Sequence, residues 1–232
     1  MKVLLALVSC HSREEFSSAI RSTWLPSVPE GLDVRFFRGR VATREPLADE
    51  VWLDCRDDYE GLPNKVQEIV RWAYDNGYEY VAKVDDDVAL RPKAWLDGFQ
   101  RCDFTGCLES ACKPNEIQTP YGFFYVLNRK TMKLVIEEPL PTHGNDEAWV
   151  STALYKKGIH LSPDSRYFLH RGGRSRPMVR PLRAPKRDAP FIAVPPTNAF
   201  AWCVYLNWAG FHQTPREELM KEYYYLYERY AK

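Results

Sequence analysis

Asp85, Asp86 and Asp87 stand side by side at the end of an apolar run, Tyr78-Glu79-Tyr80-Val81-Ala82-Lys83-Val84. A run rich in β-branched and aromatic residues reads as a buried strand. Three adjacent carboxylates repel one another at its end and need solvation or counter-charge. A divalent cation is one answer. Mg²⁺ and Mn²⁺ take oxygen ligands and bridge one or two protein carboxylates to substrate phosphates. The plainer alternative is a solvated acidic turn.

The surrounding pattern predicts the elements that carry this cluster. Val3–Val8 reads as a fully buried strand. Phe16, Ile20 and Trp24 recur at helical spacing over Glu14–Trp24, and Ser12 with Glu15 resembles a capping box. Further strands are expected over Asp33–Arg38, Val51–Cys55, Tyr80–Val84, Gly122–Leu127 and Tyr167–Leu169. Helices are expected from Pro63 to a stop at Gly77, and over Pro92–Phe99, Lys130–Ile136, Asp146–Lys157 and Arg216–Tyr230. The tyrosine-rich centre of the last helix, Tyr223–Tyr227, reads as core packing. Strand–helix alternation argues for an α/β fold with a mainly parallel sheet and helices on both faces. Such sheets bind ligands beyond the carboxyl ends of their strands. His11-Ser12-Arg13 and Asp85–Asp87 both fall there.

At 232 residues the chain fits one domain, or one domain with an appendage. A formal charge of +1 gives no global attraction to a polyanion or a membrane surface. Locally the picture differs. From Arg171 to Arg187 there are seven basic residues and no acidic one, interrupted by Pro177, Pro181 and Pro185. That reads as an irregular basic stretch, either a solvated linker or a phosphate-contacting loop. No run approaches the roughly 20 apolar residues of a membrane span, and the apolar core Val3–Val8 is too short for a signal peptide. Cys102, Cys107 and Cys112 recur every five residues, unlike the usual zinc spacing, and read as thiols in a reducing compartment.

Five fragments fall in a telling order: Ile20-Arg21-Ser22-Thr23-Trp24, Asp58-Tyr59-Glu60-Gly61-Leu62-Pro63-Asn64-Lys65, Lys83-Val84-Asp85-Asp86-Asp87-Val88, Tyr121–Arg129, and Asp146-Glu147-Ala148-Trp149 with Lys157-Gly158-Ile159 after it. Over roughly residues 1–175 the chain resembles the β-1,3-galactosyltransferase and Fringe-like family of inverting glycosyltransferases. The resemblance implies a GT-A, Rossmann-like domain over 1–175, with a basic Pro-rich segment and C-terminal helix over 176–232 packed on it. It also implies a UDP-sugar donor and Mn²⁺ or Mg²⁺. Carried over, Asp87 and His170 are metal ligands. Asp85 and Asp86 contact the nucleotide or orient the site. Ser9, His11, Arg13, Arg21, Lys65, Arg171 and Arg174 are the expected nucleotide and diphosphate contacts. The acid pair corresponds to the family's Glu-Asp, which makes Glu147 the expected base and Asp146 the alternative one register away. Phe123-Phe124 replaces small glycines, which predicts a reshaped sugar or acceptor pocket.

The acceptor is expected to be a glycan, with a hydroxylated DNA base reached through Arg171–Arg187 as the minority option. Without an anchor, the expected setting is a bacterial or viral cytosol, or a soluble form trimmed of its anchor. Two other classes compete: a metal-dependent phosphohydrolase or nucleotidyltransferase, which also uses clustered aspartates, and a non-catalytic nucleic-acid-binding protein.

Overall fold

The computed structural model describes residues 1–41, 44–108, 116–142, 144–164, 167–169 and 201–203. In chain order the elements are β1 (Val3–Val8), α1 (Glu14–Ser22), β2 (Leu32–Gly39), β3 (Glu50–Leu53), α2 (Leu62–Asp75), β4 (Tyr80–Asp85), β5 (Val88–Leu90), α3 (Pro92–Asp97), β6 (Phe104–Leu108), β7 (Pro120–Asn128), α4 (Arg129–Glu137), α5 (Asp146–Tyr155), β8 (Ser162–Pro163), β9 (Tyr167–Leu169) and β10 (Ala201–Cys203).

Among the described residues, seven strands form one sheet in the order β3-β2-β1-β4-β7-β6-β8. The first four pair in parallel, with Val8 beside Phe37 on one flank and Asp85 on the other. β7 runs antiparallel to both β4 and β6. This is the mainly parallel, Rossmann-like layout expected of the GT-A fold. A second sheet, β5-β10-β9, joins Ala201–Cys203 to the strand that directly follows the aspartates.

The central strands are rich in apolar residues because both faces are covered, as parallel sheets require. On one face α1 and α3 bring Phe16, Ile20, Trp24 and Trp95 against Leu5, Leu7, Phe36, Val84 and Phe124. On the other, α2, α4 and α5 bring Ile69, Val70, Met132, Val135, Val150 and Leu154 against Leu4, Ala6, Phe37, Val81 and Tyr125. The Trp24 indole N–H donates to the Val88 carbonyl at 3.1 Å and ties the end of α1 to β5. Gly77, at φ +76°, closes α2 as expected. No helix among the described residues is long and apolar enough to cross a membrane.

One local expectation is corrected. Ser12 does not cap a helix: it lies in a single 3-10 turn, His11–Arg13, and its hydroxyl is 3.2 Å from the Cys10 thiol. Phe123 and Phe124 are both buried in the core, with the Phe124 ring meeting Trp95 of α3 at 5.9 Å. Cys10, Cys55 and Cys102 are free thiols, and burial pushes Cys55 up to about 11. The helix expected over Arg216–Tyr230 lies outside the described residues, as does most of 176–232.

Candidate active site

Parallel strands β1 and β4 end side by side, so the residues that follow them share one edge of the sheet. The three aspartates diverge there. Asp85 Oδ1 takes the Lys83 ammonium at 2.6 Å. Asp86, buried, accepts the Arg13 guanidinium at 2.9 Å from Nε and 2.6 Å from Nη2. Asp87 lies 3.5 Å from the same Nη2 and stays partly exposed. The repulsion expected among three carboxylates is therefore relieved largely by cations of the chain itself. Burial raises the Asp86 carboxyl; Arg13 and a hydrogen bond from Ser9 oppose that rise.

The nucleotide contacts expected at the end of β1 divide into two groups. Ser9 and Arg13 join the aspartates, and Ser9 Oγ also sits 3.1 Å from Ser17 Oγ. His11 lies beside them. Its backbone N–H donates to Asp57 at 3.2 Å, and its Nε2 is 2.8 Å from the Gly39 carbonyl. A carbonyl only accepts, so Nε2 carries the proton. The ring meets Trp52 edge-on at 5.3 Å. Lys65 points inward: it is buried, and its ammonium is held by Asp57 and the Ser9 carbonyl. Burial alone would raise the Asp57 carboxyl, but Lys65 and the N–H groups of Gly39 and His11 bring it below its ordinary range. Lys65 thus braces the β1 edge from beneath.

Arg21 goes elsewhere. It pairs with Asp49 at 2.9 Å, Glu50 at 3.1 Å and Glu14 at 2.9 Å, with its guanidinium over the Phe36 ring. Arg38, fully buried, also reaches Glu14 and Glu50 and donates to Ser17 at 2.6 Å. This cluster binds α1 to β2 and β3 and does not include the aspartates. His170, Arg171, Arg174 and the whole stretch Arg171–Arg187 lie outside the described residues.

The acid pair comes to the same edge through β4 and β7. Lys83 sits at an inward position of β4 and is buried. Besides Asp85, its ammonium meets the Gly122 carbonyl of β7 and lies 3.6 Å from Asp146 Oδ2. That same oxygen accepts the Tyr125 hydroxyl at 2.8 Å. Burial alone would drive the Lys83 ammonium to lose its proton; Asp146 and Asp85 reverse that and hold it charged. Asp146 is buried, and its Oδ1 finds no hydrogen-bond partner among the described residues.

Glu147, the next residue, turns outward and remains partly exposed. Its Oε1 accepts the Asn145 amide at 3.0 Å, and its carboxylate rests on Gly122, where a Cβ would lie only 2.9 Å from Oε2. Burial, then the charge of Asp146, pushes Glu147 up to about 7. The pair therefore separates into a sequestered acid and a reachable one poised near neutrality. Such a group is suited to taking a proton from a bound hydroxyl.

Lys83, Asp57, Tyr59 and Asn145 were not singled out as working residues by their sequence context. Lys83 had a legible signal: a charge at an inward strand position demands partners.

No protein-family model matches the chain. It is 35% identical to probable beta-1,3-galactosyltransferase 13 of Arabidopsis thaliana, over 32% of this chain and 27% of that one. Probable beta-1,3-galactosyltransferase 12 of the same plant is 33% identical over 32% and 26%. The match thus spans about a quarter of the length of these curated relatives. Among solved structures, the apo form of the glycosyltransferase GlyE of Streptococcus pneumoniae TIGR4 aligns over 72% of this chain and 46% of its own, with a TM-score of 0.44 and 10% identity. A second GlyE structure aligns over 71% and 45%, with a TM-score of 0.45 and 10% identity.

Proposed function

We propose that this chain is a glycosyltransferase that moves a sugar from a UDP-sugar to an acceptor hydroxyl with inversion at the anomeric carbon. The observation that carries the reading is Glu147: a reachable carboxylate with raised proton affinity, next to Asp146, which Lys83 joins to Asp85 at the end of β4. The names of the two plant relatives support it.

In the proposed step the acceptor oxygen bonds to the anomeric carbon as its proton passes to Glu147. The bond from that carbon to the diphosphate breaks, and its electron pair leaves with UDP. Attack opposite the leaving group turns an α-linked donor into a β-product. A positioned base of this kind contributes roughly 10²–10⁴-fold. Arg13, partly exposed beside Asp87, is a donor for the departing diphosphate. Ser9 and His11 line the nucleotide side.

The donor set fits a hard cation in a restricted way. Among the described residues no group of three or more His, Cys, Asp or Glu converges. Asp87, partly exposed and 3.5 Å from Arg13 Nη2, is the carboxylate proposed for Mn²⁺ or Mg²⁺, with His170 as the second candidate. One or two carboxylates plus substrate phosphates is the usual complement for such ions. When bound, the ion would neutralise charge developing on the diphosphate.

The test is a panel of nucleotide sugars scored by thermal shift and by UDP release, with and without Mn²⁺. Glu147→Gln is expected to abolish transfer and retain UDP binding. Release of inorganic phosphate instead of UDP, or full transfer by Glu147→Gln, would overturn the reading.

A further inference from the structure

The turn before α2 presents Tyr59, 72% exposed, and the turn is braced by hydrogen bonds and ion pairs. Asp58 Oδ1 accepts the Gly61 N–H at 2.8 Å, and Leu62 N–H donates to the Tyr59 carbonyl at 3.2 Å. Arg56 clamps Asp58 at 2.6 Å and Glu60 at 3.2 Å. Gly61 packs so closely that a Cβ there would lie 2.6 Å from the Arg56 Cβ. A lone exposed aromatic residue needs no explanation. Tyr59 differs because it is also tied to the candidate base. Its hydroxyl donates to Asn145 Oδ1 at 3.0 Å, and Asn145 Nδ2 donates to Glu147 Oε1 at 3.0 Å. The ring is thus held beside Glu147 by two hydrogen bonds, with its face open.

We propose that Tyr59 is the acceptor platform of this site, its ring stacking on the apolar face of a neutral pyranoside whose hydroxyl is presented to Glu147. The inference rests on the transferase reading and names its acceptor class. An amphipathic ring with one end hydrogen-bonded and one face exposed suits a ligand that has both C–H and hydroxyl surfaces. Local charge separates a neutral sugar from the hydroxylated DNA base considered above. Asp54 to Glu60 carries four acids; Arg56 pairs with Asp58 and Glu60 and Lys65 with Asp57, which leaves an excess of two negative charges. A surface with that excess of negative charge repels a phosphate backbone.

The experiment measures transfer to methyl glycopyranosides and to single-stranded oligonucleotides containing a hydroxymethylated base, using whichever UDP-sugar the enzyme accepts. Tyr59→Ala is expected to raise the KM for the glycoside about tenfold and to keep the Kd for UDP, read by calorimetry. Tyr59→Trp should hold the KM near that of the parent. Tyr59→Phe keeps the platform but frees Asn145, so it should lower kcat more than it changes KM. An unchanged glycoside KM in Tyr59→Ala, or transfer to the oligonucleotide alone, would overturn the proposal and leave the transferase reading standing. Absence of UDP release from every donor with the parent protein would remove both.

Discussion

Lys83 Nζ and Asp146 Oδ2 face each other at 3.6 Å across the gap between β4 and the first turn of α5, both buried. This pair sets the two adjacent acids apart. Asp146 is committed to Lys83 and to the Tyr125 hydroxyl, so its charge stays inside. Glu147 feels that charge and lacks an ion-pair partner of its own within 4 Å among the described residues, so it holds its proton to about 7.

A pH dependence follows. A base must be deprotonated to accept a proton, so kcat/KM should fall below about pH 7 and level off above it. Asp146→Asn removes the negative neighbour and lowers the proton affinity of Glu147, so the acid limb should move to lower pH with activity retained. A pH profile of both proteins from 5 to 9 checks this. Loss of all activity in Asp146→Asn with an intact fold would instead make Asp146 the base.

Metal dependence should run through one carboxylate. Asp87→Asn is expected to weaken Mn²⁺-dependent UDP binding at least tenfold and to leave metal-free binding nearly unchanged. Titrations by calorimetry with Mn²⁺ and with EDTA separate the two. Equal curves for parent and variant in Mn²⁺ would remove Asp87 as a ligand.

The elements around this site were legible because each announces itself locally. β1 is a continuous apolar run, β4 is one broken only by Lys83 before its terminal Asp85, α2 carries its proline at the start and its glycine at the end, and the observed bounds differ from the expected ones by a residue or two. Short edge pieces were not legible. β8 has two residues, and β6 includes glycine and cysteine, which carry little strand signal. The residues at the ends of β1 and β4 could be named from the sequence, but their partners could not. Arg13 meets Asp86 across 73 residues of chain, and Tyr59 meets Asn145 across 86. No local pattern encodes such pairs. Lys65 shows the same limit: a lysine in the first turn of a helix reads as a surface or ligand group, yet here it lies beneath the sheet edge with Asp57.

The charge cluster away from the site makes a stability prediction. Glu50 is buried in β3, and burial alone would raise its carboxyl. Arg44, the Leu47 N–H, Arg38 and Arg21 outweigh that and bring it down to about 2. A carboxyl lowered from 4.5 to about 2 stabilises the fold by roughly 3 kcal/mol at neutral pH. The contribution is complete above about pH 4.5 and is lost as the pH falls through about 2. Glu50→Gln should therefore cost a few kcal/mol in urea denaturation at pH 7, and the gap from the parent should narrow toward pH 2. A gap independent of pH would show that Glu50 acts by packing alone.

Gly122 gives the sharpest separation of function from folding. Its Cα lies against the Glu147 carboxylate, and a methyl added there would sit 2.9 Å from Oε2 and 3.0 Å from Cδ. Those atoms are the far end of a flexible side chain, so the fold can yield cheaply by turning the carboxylate away. The carbonyl of residue 122 is retained in alanine, so its bond to Lys83 survives. Gly122→Ala should then keep the melting temperature within a few degrees, bind UDP as the parent does, and lose kcat by tenfold or more because the base has been displaced. If kcat is unchanged while the crowding is real, the Glu147 carboxylate is not the group that takes the proton, and the next nearest acid, Asp146, must be tested in its place.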